Sequence, residues 1–184
     1  PGADVPGTYT YTVSGSGACG ATAATATVNV SVSPVADAGT SSSVTLCATN
    51  GNVDLFGLLG GTPQAGGTWT GPDGSAVPGT LDPGTDPAGN YTYTVAGTAP
   101  CPPSSSSLLI AVNMPPNAGA DNSITLCASD APLVLITQLG GTPDGTGSWT
   151  APDGSPVVGG LDPATAQSGT YTYTVNGTAP CASD

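Results

Sequence analysis

The chain has 184 residues, of which 12 are Asp and none is Glu, Lys, Arg or His, so its formal charge of -12 meets no opposing side chain. Ion pairs between side chains are excluded, and without Lys or Arg there is no electrostatic basis for holding nucleic acid or an anionic membrane surface. No run reaches the ~18 apolar residues of a spanning helix, which speaks against membrane insertion, while a 38% hydrophobic content set in alternating runs predicts folded units.

In chain order the first element is "YTYTV" at Tyr9–Val13, and the same five residues return at Tyr91–Val95 and Tyr171–Val175. The repetition is general. Sliding Asp37–Ser104 by 80 positions onto Asn117–Asp184 gives an ungapped match with 37 of 68 residues identical, including "TLCA", "LGGTP" and "PDGS". The segment Pro1–Pro34 matches Pro83 onward and is the back third of another copy. The chain therefore reads as residues 1–36, the C-terminal part of one repeat; 37–116, a complete repeat; and 117–184, a repeat without its last strand.

Within the complete repeat, "SSSVTLC" and "NVDLF" are short strand candidates, and "LLGG" at Leu58–Gly61 reads as one helical turn ended by Gly. "GTWTG" leads into "PDG", where Pro72 presets φ and Gly74 takes the left-handed conformation of a hairpin tip. "NYTYTV" alternates strictly, and "SSSSLLIAV" closes the unit. Six or seven strands in about 80 residues predict an all-β fold of small two-sheet sandwiches of immunoglobulin-like type. Period two puts Tyr91, Tyr93 and Val95 on an apolar inner face, with Thr92 and Thr94 outside. Trp69 and Trp149 are their expected core partners, and Tyr171 and Tyr173 repeat the pattern. Two Tyr so placed after a Gly are similar to a tyrosine corner, in which a phenol bonds nearby backbone. An exposed aromatic strip for stacking sugars is the competing reading.

Cys47 and Cys101 are 54 residues apart, as are Cys127 and Cys181, which predicts one disulfide inside each repeat and an oxidising, extracellular setting. Cys19 aligns with Cys101 and Cys181, so its partner is expected in the missing front of its own repeat. Metal binding by these cysteines lacks the C-x-x-C spacing and any His.

Catalysis has little to work with. There is no His or Lys base, and Asp pairs such as Asp82 and Asp86 are the sole acid-base candidates. Asp86 becomes Ala166 in the last repeat, and Asp73/Asp153 and Asp82/Asp162 stand in turn sequences where Asp bonds its own backbone. No catalytic residue and no cofactor are assigned. Calcium is the cation that Asp and backbone carbonyls suit, although the spacing matches no EF-hand loop or nonapeptide repeat. Asn29, Asn90 and Asn176 satisfy N-x-[ST] and are candidate glycan acceptors, as are the outward Thr and the Ser104–Ser107 run for O-linked sugar.

Units of the form "LC…LLGGTP…GGTWTGPDG…LDPGTDPAGNYTYTVAGTAPC…AG" resemble the tandem immunoglobulin-like repeats of large secreted surface proteins of Bacteroidota, among them gliding-motility-associated adhesins exported through the type IX pathway. The resemblance covers essentially the whole chain. It implies a non-enzymatic spacer or fibre segment at the cell surface, with an adhesive module recognising glycans or surfaces through its loops as the alternative. The expected partners are further copies of the repeat, either in one continuous polypeptide, the favoured reading, or in a neighbouring subunit. In the latter case "ATAATATVNVSV" of one subunit adds as a strand to the last repeat of the next, head to tail.

Overall fold

The computed structural model describes residues 5–16, 23–158 and 160–184, and it is nearly all β. Two strands come first in the chain, β1 (Gly7–Val13) and β2 (Ala24–Val30), paired antiparallel with Gly7 opposite Val30. The middle repeat contributes β3 (Ser42–Cys47), β4 (Val53–Asp54), β5 (Thr68–Thr70), β6 (Ala76–Val77), β7 (Thr80–Leu81), β8 (Gly89–Val95) and β9 (Ser104–Asn113). A single 3-10 turn at Phe56–Leu58 lies a few residues before the predicted end at "LLGG". β10 (Ser148–Thr150), β11 (Pro156–Val157) and β12 (Thr172–Thr174) belong to the last repeat, which has a second 3-10 turn at Leu135–Gln138.

In the middle repeat five strands form one sheet in the order β3-β9-β8-β5-β6, and β4 pairs with β7 separately. β8 and β9 are antiparallel, whereas β3 runs parallel to β9 with Cys47 opposite Asn113. The alternation of β8 does what its pattern requires: Tyr91, Tyr93 and Val95 are buried while Thr92 and Thr94 are half-exposed. They meet Leu55, Leu81, Leu108 and Ile110, with the Trp69 ring 5.0 Å from Tyr93 and Phe56 edge-on to it at 5.6 Å. The one buried polar residue, Ser106, donates to the Ala38 carbonyl at 2.6 Å, so no polar cost is left in the core. At the hairpin tip Gly74 has φ 84°, which an L side chain would occupy only with strain.

The same strand sequences meet a different fate at the two ends. In β1, Tyr9 and Tyr11 are 46% and 71% exposed, against 2% for their counterparts Tyr91 and Tyr93, because among the described residues no second layer covers the hairpin. In the last repeat residues 121–127 form no strand and are exposed, whereas their counterparts in the middle repeat include β3, which pairs with β9. Val175 and Asp184 exchange both backbone hydrogen bonds at 2.7 and 3.0 Å, at the places that Val95 and Ser104 hold opposite each other in β8 and β9. An open groove of about 470 Å³ remains, walled by Ile124, Leu126, Leu135, Leu139, Trp149 and Tyr171.

The tyrosine-to-backbone bond expected in every repeat is made three times. Tyr9, Tyr91 and Tyr171 donate to the carbonyls of Val5, Pro87 and Gln167, each four residues earlier. Around Tyr91, burial first and then the carboxylates of Asp86 and Asp73 push the phenol above its ordinary 10.0. The neutral phenol therefore adds stability that is fully present below about pH 10 and is lost as the pH rises through the raised value. Thermal melting between about pH 9 and pH 11.5 is expected to show a steeper fall for the native chain than for Tyr91→Phe; parallel curves would count against this role.

Candidate functional site: the junction between repeats

Successive repeats meet at a junction built from the end of one last strand and the "TAPC" loop of the following repeat. Asn113, at the end of β9, donates its amide to the Ala179 carbonyl at 2.8 Å, and the Cys181 sulfur lies 3.4 Å from the Asn113 carbonyl oxygen. Cys47 is opposite Asn113 across β3 and β9, and it is bonded to Cys181 with their Cα atoms 5.0 Å apart.

This corrects the pairing expected from sequence. The bond runs from one repeat to the next, and Cys101 and Cys127 are free thiols. The spacing alone could not decide between the two patterns, because 181 − 47 = 134 equals the within-repeat 54 plus one period of 80. Strand length decides. Cys101 precedes the start of the ten-residue β9, whereas Cys47 lies beside its end, roughly 30 Å away at the usual rise per residue. A disulfide needs Cα atoms about 4.4–6.8 Å apart, so the two cysteines of one repeat cannot meet.

The junction is present twice. Eighty residues earlier, Ser33 donates to the Ala99 carbonyl at 3.3 Å, and the Cys101 sulfur lies 3.5 Å from the Ser33 carbonyl oxygen. Ser33, Ala99 and Cys101 thus repeat Asn113, Ala179 and Cys181, with half-buried Cys101 waiting where Cys181 is bonded. Cys127 repeats Cys47 in the same way. The Ser129 hydroxyl donates to its sulfur at 3.1 Å, as Thr49 does to Cys47 at 3.2 Å, and this bond, with the Ser129 backbone N–H, lowers the Cys127 thiol below its ordinary value. Cys19 lies outside the described residues.

No family model matches the chain, and no curated protein matches it significantly.

The remaining candidate residues are distributed rather than gathered. Trp69, Tyr91, Tyr93 and Tyr173 are buried, while Trp149 and Tyr171 are half-buried, because they line the open groove. Asn29, Asn90 and Asn176 are all exposed; the Asn29 side-chain oxygen accepts from Thr8. The Asp residues serve their own turns, as expected: Asp73 and Asp153 accept from both the hydroxyl and the N–H of Ser75 and Ser155, which holds their carboxyls below the usual value. Asp82 and Asp162 accept from the N–H of Gly84 and Ala164, and Asp86 from the N–H of Asp82. Among the described residues no three His, Cys, Asp or Glu side chains converge on a metal position, and no helix is long and apolar enough to cross a membrane.

What sequence reading missed is Ser33 and Asn113. Both sit just before Pro-containing linkers that look like passive spacers, and only their position beside a cysteine of the next repeat reveals them.

Proposed function

We propose that the chain is a structural segment of an extracellular fibre or cell-surface stalk, made of tandem immunoglobulin-like sandwiches similar to those of secreted Bacteroidota surface proteins and without catalytic activity. One observation carries the reading: the Cys47–Cys181 disulfide ties the middle repeat to the last rather than closing either repeat on itself. A module that works alone gains most from an internal staple. A series of modules that must keep its spacing under tension gains from staples across the joints. The bond also encloses 133 of the 184 residues, because 48–180 lie within its loop and carry no load while it is intact.

Single-molecule pulling on the 184-residue chain tests this. Reduction is expected to release the 134-residue loop and lengthen the unfolded chain by about 470 Å at ~3.5 Å per residue. Equal lengths with and without reductant would remove the mechanical argument.

Exposed Tyr9 and Tyr11 favour a second reading, an adhesive surface on which sugar rings stack. Binding to cell-surface polysaccharide that Tyr11→Ala abolishes would support it.

A further inference from the structure

We propose that Asn113 is the positioning residue that selects the disulfide: its carboxamide seats the "TAPC" loop of the following repeat against the end of β9, and this seating brings Cys181 to Cys47 in preference to Cys101 or Cys127.

The inference goes beyond the fibre reading and does not depend on it, because it concerns how one pairing is chosen among several. The "LC" at Leu46 recurs at Leu126, and the "TAPC" at Thr98 recurs at Thr178, so nothing in the residues next to a cysteine distinguishes its partner. The choice has to be made by a group that touches both segments.

Asn113 is such a group. Its backbone belongs to the side of Cys47: it stands opposite Cys47 in the parallel register of β3 and β9, and its carbonyl accepts from the Ala48 N–H at 2.9 Å. Its side chain belongs to the other side. The carboxamide donates to the Ala179 carbonyl at 2.8 Å and, more weakly at 3.4 Å, to that of Thr178. One residue thereby fixes the separation of the two cysteine-bearing segments, and the Cys181 sulfur comes to 3.4 Å from the Asn113 carbonyl oxygen. No sulfur takes part in the bonds to Ala48, Thr178 and Ala179, so the reduced chain makes the same seat.

The loop that is held is already shaped. The Cys181 N–H donates to the Thr178 carbonyl at 3.0 Å, and the carbonyl oxygens of Cys181 and Ala182 cover Gly177 so closely that a Cβ there would collide with them. A loop with so little freedom passes a contact at Ala179 on to the sulfur two residues later. The joint eighty residues earlier makes the same seat with a different donor: the Ser33 hydroxyl donates to the Ala99 carbonyl at 3.3 Å, and the Cys101 N–H closes the same turn onto Thr98 at 2.9 Å. A side-chain donor at this place is what the two joints share.

With the loop seated, the bond forms by exchange with a small-molecule disulfide. One of the two thiolates attacks it and releases one small thiol, and the thiolate of the other cysteine then displaces the second. The Cys47–Cys181 bond is made, the small disulfide is reduced to two thiols, and the two cysteine protons end on them.

The reduced, unfolded 184-residue chain is diluted into a fixed mixture of reduced and oxidised glutathione, quenched in acid at intervals and mapped as peptic peptides. The native chain is expected to accumulate Cys47–Cys181 as its main protein disulfide. Asn113→Asp keeps the size of the side chain but replaces the donor by an acceptor facing a carbonyl. It is expected to lower the ratio of Cys47–Cys181 to glutathione-capped Cys47 by about fivefold or more, the worth of about one net hydrogen bond, and to divert the loss into pairs with Cys101 and Cys127. Asn113→Ser restores the kind of donor that Ser33 supplies at the other joint, and is expected to stay within about twofold of the native ratio. Both variants remove the carboxamide, so the contrast between them separates positioning from a general loss of packing. A ratio for Asn113→Asp within about twofold of the native one, or a ratio for Asn113→Ser as low as that for Asn113→Asp, overturns the inference. Pulling reads what the finished bond carries, so a failure in either experiment leaves the other reading standing.

Discussion

Cys181→Ser is expected to lower the stability of the oxidised chain by about 5 kcal/mol, the chain-entropy value for a closed loop of 134 residues. The bond couples two repeats, so its loss is expected to split one unfolding transition into two, with the open last repeat melting first. Cys47→Ser is expected to do the same, because each variant removes the same bond. Cys101→Ser and Cys127→Ser are expected to change stability by no more than about 0.5 kcal/mol in the single chain, since neither thiol is bonded within it. Denaturant unfolding of the four variants reads this directly. A cost at Cys101 equal to that at Cys47 would restore the pairing within repeats and remove the basis of the proposed function.

The second large effect is expected in the middle repeat. Leu108 is fully buried in β9, the strand held between β3 and β8, where it stands opposite Ser42 and Tyr91. Leu108→Ala removes its apolar contacts and leaves a cavity that strands paired on both sides cannot close, at a cost of about 2–5 kcal/mol. Val28→Ala, at the equivalent place in β2, is expected to stay within about 0.5 kcal/mol in the single chain because the side chain is already in water. Urea unfolding checks both. A Leu108→Ala loss below 1 kcal/mol would show that the β9 face is not the core.

Much of this was legible before any coordinates. Strict alternation in "NYTYTV" set which faces of β8 turn inward, since a strand places successive side chains on opposite sides whatever surrounds it. Turn chemistry was equally local: Asp73 and Asp153 bond the N–H two residues on, which needs nothing beyond the tripeptide. Burial was not legible in the same way. Tyr11 and Tyr93 share the same flanking residues and end at 71% and 2% exposure, because burial depends on whether a second layer lies over the strand.

The sequence by itself determined the repeat period, the β character of every unit, the turns, the inward and outward faces and the absence of opposing charge, because each is a property of a residue and its near neighbours. The tertiary structure alone decided which cysteines meet. A repeat of 80 residues offers every "LC" the same chemistry at 54 or at 134 residues' distance. The choice falls to the length of β9, which carries Cys101 to one end of the repeat and leaves Cys47 at the other, within reach only of the next repeat.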